Sequence, residues 1–312
     1  MTTANGSPQT PNYRRLTSGE LRRRSAALLE EYADCALCPY ECGVDRTDGE
    51  TGACRADDTV SVAAAHPHHG EEDVLRGRNG SGTIFLSNCP LSCVFCQNFD
   101  ISQEGRGRAA PIEEIAEMAI DLQECGCHNV NFVTPTHYAP SLAEAIRLAR
   151  EEGLELPIVW NCGGYERAEA IAALEGFVDI YMPDVKWADD EAAATYSNAP
   201  DYWTHCKASL REMHRQVGDL TIDENGLATK GLLVRHLVMP NHVENSRSIL
   251  TFLAEELSEE TFVNVMGQYR PHYRVGTDDR YAEIDRGITR REYREVADHA
   301  RDVGLERAQI DQ

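Results

Sequence analysis

The stretch TIFLSNCPLSCVFCQN, residues 83–98, opens with four strand-forming residues and runs directly into Cys89, Cys93 and Cys96. TIFL reads as a buried strand, and the cysteines follow on the loop at its carboxyl end. Three thiolates this close in sequence can converge on one iron–sulfur cluster, each taking one iron of four. The fourth iron is then left open, as a reactive cluster needs, whereas a structural zinc site wants four protein ligands.

TIFL is followed by five further apolar runs: NVNFVT (129–134), PIVWN (157–161), VDIYM (178–182), LLVRHLVM (232–239) and FVNVM (262–266). Amphipathic stretches separate them. IEEIAEMAIDLQECG (112–126) repeats Ile112, Ile115, Ala119 and Leu122 on one helical face. SLAEAIRLAREEG (141–153) offers Ser141 as N-cap, Glu144 as its capping-box partner and Gly153 as a stop. TRREYREVADHARDVG (289–304) reads as a last helix, with Tyr293, Val296 and Ala300 inward. Strand–helix alternation predicts an α/β fold with a parallel sheet, either doubly wound or a partial (β/α) barrel. Both place functional loops at the carboxyl ends of strands, where the three cysteines fall.

Upstream, residues 1–18 are polar and predict a disordered tail. A helix is expected over Glu20 to Tyr32, and VSVAAA (60–65) as a short strand leading into the main domain, 61–312. Residues 19–60 thus form a helix plus a cysteine-rich appendage. Within it, Cys35-x2-Cys38-x3-Cys42-x11-Cys54 is set among turn residues. Four ligands suit a structural zinc ion or an additional cluster, with free thiols or a redox pair as the alternative. Cys125, Cys127, Cys162 and Cys206 lack a ligand spacing and read as packing residues. His66, His68 and His69 read as a surface loop, since no third partner for a metal is implied nearby.

Thirty Lys and Arg against 52 Asp and Glu give −22. That field repels nucleic-acid phosphates and anionic membranes, so neither is expected as a partner. Lysine is confined to Lys186, Lys207 and Lys230. An acid-rich, lysine-poor surface points to a very salty interior, where screening relieves self-repulsion. No run reaches the roughly 18 apolar residues of a membrane helix, and the basic start lacks an apolar core for export. With eleven cysteines and no export signal, ligation in a reducing cytoplasm is the expectation rather than a disulfide framework.

CxxxCxxC after the first strand resembles the defining motif of the radical S-adenosylmethionine (SAM) superfamily. More narrowly, GTIFLSNCPLSCVFCQNFDISQ, NVNFVTPTHYAPSL, VWNCGGYE, DIYMPDVKW, VRHLVMPNHVENS and VNVMGQYRPHYR resemble a branch related to pyruvate formate-lyase activating enzymes. The resemblance runs from about Cys35 to Tyr273. It implies a partial (β/α)6 barrel and a [4Fe–4S] cluster on Cys89, Cys93 and Cys96. In such enzymes the reduced cluster cleaves SAM to a 5′-deoxyadenosyl radical that abstracts hydrogen from a substrate. By the same resemblance Phe95 contacts the adenine and Asp184 and Lys186 form an Asp-x-Lys element facing the SAM carboxylate, while Asn161, at the end of its strand, is expected to face the same pocket. The Gly-Gly-Glu element that meets the SAM amino group is replaced here by Thr134-Pro-Thr136-His, whose hydroxyls are the substitutes. Of the consecutive residues Arg235 and His236 only one can point inward, and His236 is the expectation. The resembling branch carries a similar N-terminal cysteine group, absent from the well-known activators. Expected partners are an unidentified substrate, whether small molecule, peptide or glycyl-radical protein, and an electron donor such as ferredoxin or flavodoxin. The competing reading is a non-catalytic iron–sulfur electron carrier or sensor with a zinc-stabilised N-terminal segment.

The charge balance carries its own expectation. The melting temperature should rise steeply with salt, and an unchanged melting temperature down to low salt would rule out the saline adaptation.

Overall fold

The computed structural model describes residues 10–310. Its centre is a ten-stranded sheet. The strands are β1 (Val60–His68), β2 (Ser81–Leu86), β3 (Arg108–Ala110), β4 (Val130–Val133), β5 (Ile158–Cys162), β6 (Ile180–Pro183), β7 (Thr221–Ile222), β8 (Ala228–Leu237), β9 (Phe262–Met266) and β10 (Ala308–Ile310). The order β10-β9-β8-β6-β5-β4-β2 is parallel throughout. β1 and β3 extend it antiparallel beyond β2, and β7 pairs with β8. All six expected strands are present, in the partial-barrel arrangement rather than the doubly wound one.

Pairing sets two faces. Ile84, Phe132, Trp160, Tyr181 and Leu232 stand side by side across five strands and join the large core beneath the helices. The alternate residues Val159, Ile180, Met182 and Leu233 form a separate cluster with Leu75 inside the barrel. Both faces of the strands are buried, as expected of parallel strands. The inner face also carries a polar layer. Ser81 Oγ donates to Asn129 Oδ1 at 2.6 Å, and Asn131 Nδ2 donates to Glu71 Oε1 at 3.2 Å.

The structure corrects three local expectations. Residues 1–9 lie outside the described residues, but 10–17 are not a free tail. Asn12–Arg15 is a helical turn whose Tyr13 is fully buried, its hydroxyl donating to the carbonyls of Leu154 and Leu156 at the amino end of the barrel. One large aromatic and a backbone contact from Asn12 to Asp179 outweigh the polar composition around them. Secondly, the helix at Ala139–Glu151 begins two residues before Ser141. Ser141 is buried within it against the Tyr32 hydroxyl, and Glu144 binds Arg147 and Ser25 instead of capping. Pro140 in the first turn supplies the start. Thirdly, the cysteine-rich segment is packed onto the barrel rather than appended to it. Arg46, fully buried, donates to the carbonyls of Asp57 and His137. The helices Ser18–Glu30 and Arg290–Asp302 carry complete capping boxes, at Thr17 and Glu20 and at Thr289 and Glu292.

Tyr202 fastens the ends of β5 and β6 together. Its hydroxyl accepts the Lys186 N–H at 3.0 Å and shares its proton between the carbonyls of Gly163 (3.0 Å) and Asp184 (2.9 Å). Gly164 lies in the left-handed region at φ +75°, and a Cβ there would sit 2.5 Å from the Asp184 oxygen. Replacing Tyr202 by Phe leaves those buried backbone groups unpaired and should cost about 1–3 kcal/mol in chemical denaturation.

Candidate active site

The carboxyl ends of the parallel strands surround a cavity of about 320 Å³. Cys89, Cys93 and Cys96 line it from the loop after β2, and Thr134 from the end of β4. Asn161 and Gly163 come from β5, Asp184 and Lys186 from β6, Arg235 and Leu237 from β8, and Gln268, Tyr269 and Arg270 from beyond β9. A larger groove of about 630 Å³ runs outside the barrel between β1 and the helix Ile112–Glu124. Of the cysteines it touches only Cys125, so the smaller cavity is the chemical one.

The cysteine loop has little regular structure, and neighbouring elements hold it. Ser92 N donates to Ser197 O at 3.0 Å, Val94 N to Tyr196 O at 2.9 Å, and Arg274 N to Val94 O at 3.0 Å. The sulfurs have hydroxyl partners: Cys93 Sγ reaches Ser197 Oγ and Cys96 Sγ reaches Ser102 Oγ, each at 3.2 Å. Burial pushes the Cys93 thiol up to about 11 while Lys186 opposes the rise. Burial also pushes Cys89 well up, and the charges of Cys93 and Cys96 add to it. Crowded buried thiols of this kind are best relieved by a cationic group that binds all three, which fits a cluster ligand set.

Opposite the thiols lies an ion network. Asp184 accepts Lys186 Nζ at 2.8 Å through one oxygen and Arg235 Nε at 2.7 Å through the other. Arg235 also donates to Asn161 Oδ1 at 2.8 Å and pairs with Glu71 at 3.4 Å. Burial would raise the Asp184 carboxyl, but Arg235 and Lys186 overcome it and hold the group down at about 2. Burial pushes Glu71, below Arg235, up to about 7. Lys186 stays protonated against burial because Asp184 and Cys93 face it. The result is a cationic wall beside three thiols, suited to a carboxylate ligand.

Of the expected site residues, Cys89, Cys93, Cys96, Phe95, Thr134, Asn161, Asp184 and Lys186 all line this cavity. Phe95 stands edge-on between Trp187 and Tyr269, with centroids 6.1 and 6.0 Å away. Thr134 has a left-handed backbone (φ 58°) and donates its N–H to Asn161 O at 2.8 Å. Thr136 is one step removed, in a small cavity with Cys89, Gly163 and Glu166. His236 is displaced from the site. It shares the outward face with Val234, its ring nitrogens bonded to Val185 O (2.7 Å) and Ser246 Oγ (2.8 Å). Arg235 shares the inward face with Leu233 and Leu237 and occupies the site instead. Because both faces of β8 are buried, apolar alternation gave no parity signal there; the charge partner Asp184 is what draws Arg235 inward. Tyr202, Ser197 and Ser102, which hold the site from behind, carry no sequence signature.

Among the described residues no group of three or more His, Cys, Asp or Glu side chains is gathered as for a single metal ion. Cys35, Cys38 and Cys54 are buried and Cys42 is exposed, all four on the segment packed beside the Cys89 loop. His66 and His68 lie on β1 rather than on a loop, and pack against Phe85 of β2, His66 tilted at 35° and His68 edge-on.

A family profile described as the radical SAM superfamily matches residues 83–240, from β2 to just beyond β8. The chain belongs to that superfamily, and it is α/β with a partial barrel. A [4Fe–4S] cluster and SAM are therefore its cofactors. It is 31% identical over 284 residues to the uncharacterized protein MJ0674 of Methanocaldococcus jannaschii, covering 88% of this chain and 76% of that protein. It is 26% identical over 279 residues to MJ0808 of the same organism, covering 81% and 76%. Among solved structures, HydG, a maturase of the [FeFe]-hydrogenase, superposes with a TM-score of 0.49 at 11% identity, covering 95% of this chain and 64% of that one. No helix among the described residues is long and apolar enough to cross a membrane.

Asp184→Asn should expose the role of the network. It removes the carboxylate shared by Lys186 and Arg235, leaving Arg235 with Glu71 and Asn161, and should destabilise the fold by about 2–3 kcal/mol at pH 7. The folded-state pKa of Asp184 is depressed, so its stabilisation is complete above the unfolded value near 4 and is lost as pH falls through about 2. Denaturation at stepped pH should therefore show wild type and variant converging only below about pH 4.

Proposed function

We propose that this protein is a catalytic radical SAM enzyme acting on a hydrogen of a large, externally presented substrate, with a polypeptide segment as the leading candidate. The single observation that carries the catalytic reading is three thiols at the mouth of the barrel facing a lysine held by an acid. When bound, the cluster and SAM supply one-electron chemistry that generates a carbon radical for hydrogen abstraction. The residues around them provide ligation, aim and exclusion of water. Cys89, Cys93 and Cys96 hold the cluster and leave one iron for SAM. The Lys186 ammonium, fixed by Asp184, is placed for the SAM carboxylate, and Arg235 keeps Asp184 ionised so that the lysine does not swing away. Phe95, braced by Trp187 and Tyr269, offers an apolar face to the adenine. Thr134 and Asn161 supply polar contacts on the adjoining wall.

Volume supports the substrate class. At about 320 Å³ the cavity is near the lower bound of ligand pockets, and its two cofactors would largely fill it. A substrate then enters only by a protruding part, over the rim formed by Gln268, Tyr269 and Arg270. A glycyl-radical protein presenting a backbone loop is one substrate of that shape, and a modified peptide is another.

Anaerobic reconstitution with iron and sulfide, then SAM and dithionite, tests the catalytic reading. Release of 5′-deoxyadenosine and methionine is expected, with loss of the catalytic cluster and of cleavage in Cys93→Ala. Cluster-loaded protein that releases neither product would favour the electron-carrier reading.

A further inference from the structure

The N-terminal cysteine group repeats the catalytic spacing in mirror order. Cys35-x2-Cys38-x3-Cys42 places three thiols in eight residues, as Cys89-x3-Cys93-x2-Cys96 does, and Cys54 returns as a fourth. The segment is folded to bring them together. Cys35 N donates to Val44 O and Gly43 N to Cys35 O, closing a tight loop on which Cys38 and Cys42 ride. Ala53 N donates to Cys42 Sγ at 3.3 Å, bringing the turn that carries Cys54 against the loop. Gly52 allows this close approach, since a Cβ there would lie 2.6 Å from the Cys42 sulfur. Cys54 is within electrostatic reach of Cys35, Cys38 and Cys42. The buried Arg46 guanidinium stands 3.9 Å from Cys35 Sγ, a positive charge placed for a thiolate-bound group of net negative charge.

This group adjoins the catalytic loop. Arg46 donates to the His137 carbonyl, and His137 Nε2 meets Ser87 O at 2.9 Å, two residues before Cys89. Arg55, next to Cys54, donates to Ser102 O at 2.8 Å and lies 3.4 Å from Cys89 O. The Tyr40 hydroxyl lies near both cysteine groups, Cys38 and Cys42 of the first and Cys89 and Cys93 of the second. It also donates to the carbonyl of Asn198, the neighbour of the Ser197 that holds Cys93.

We infer that Cys35, Cys38, Cys42 and Cys54 bind a second iron–sulfur cluster, fully ligated by protein, which passes electrons to the catalytic cluster across the wall formed by Tyr40. Zinc fits less well. Zinc sites usually take cysteines as close pairs, whereas three thiols in one short loop suit a cubane. The electron balance is simple. A one-electron iron–sulfur or flavin protein reduces the second cluster by one electron at its exposed Cys42 side; that electron moves to the catalytic cluster, and the second cluster returns to its oxidised state. The role goes beyond SAM cleavage, because a small strong reductant can reach the catalytic cluster directly.

The test is iron, sulfide and zinc analysis with electron paramagnetic resonance on full-length, anaerobically reconstituted protein. Wild type should carry about twice the iron and sulfide of Cys38→Ser/Cys54→Ser, and its reduced spectrum a second signal unmoved by SAM. The double variant should still cleave SAM with dithionite but lose cleavage when reduced ferredoxin is the donor. Cys93→Ala, which leaves the N-terminal group intact, should retain about half the iron. Bound zinc at the N-terminal group, equal iron in wild type and double variant, or an iron-free Cys93→Ala would overturn the proposal. Dithionite-driven cleavage by wild type reports on the catalytic reading separately, so the two can fail independently.

Discussion

A loop that must hold three thiols in fixed positions cannot rely on its own hydrogen bonds, and the architecture of this protein follows from that constraint. Between β2 and the turn at Phe99–Ser102 the chain makes no sheet, so its backbone groups are paired from elsewhere. The helix Asp190–Ser197 contributes the carbonyls of Tyr196 and Ser197, the segment after β9 contributes Arg274, and Gln103 reaches back to Leu91 O at 3.1 Å. These partners come from distant parts of the sequence. The barrel therefore serves as a frame on which remote segments meet at the thiols, and local damage to any of them should be felt there.

Charge organisation obeys the same economy. The chain as a whole is strongly acidic, yet the cavity gathers Lys186, Arg235 and Arg270. Asp184 is shared between two of these cations, and Glu71 and Asn131 lie beneath Arg235 inside the barrel. Buried charge is tolerable because each member is hydrogen-bonded to another. An anionic ligand arriving at Lys186 meets cationic side chains inside a molecule whose net charge repels it.

The cysteine-rich segment is braced against the back of the catalytic loop rather than hung from the barrel. Arg46 lies over the Tyr32 ring at 4.5 Å and bonds to His137, joining the N-terminal helix, the cysteine loop and the start of the helix after β4. A group bound at Cys35 to Cys54 would thus be mechanically continuous with the catalytic loop, through His137 and Ser87.

The sequence by itself determined the strand–helix alternation and the position of the three catalytic cysteines at a strand end, because periodicity and spacing are local properties, while the Asp184–Lys186 pair was legible only through the family resemblance. Tertiary structure decided the rest. It ordered Thr10 to Thr17 through the burial of Tyr13 and the bonds of Asn12 and Arg14, moved the helix start ahead of Ser141, and added β7 and β10, which are too short to show a period. It also chose Arg235 over His236. With both faces of β8 buried, only the location of partners could decide: Asp184 inside for the guanidinium, Val185 O and Ser246 outside for the imidazole. Which polar side chain faces a cavity is a question about neighbours distant in sequence, and local pattern carries no record of them.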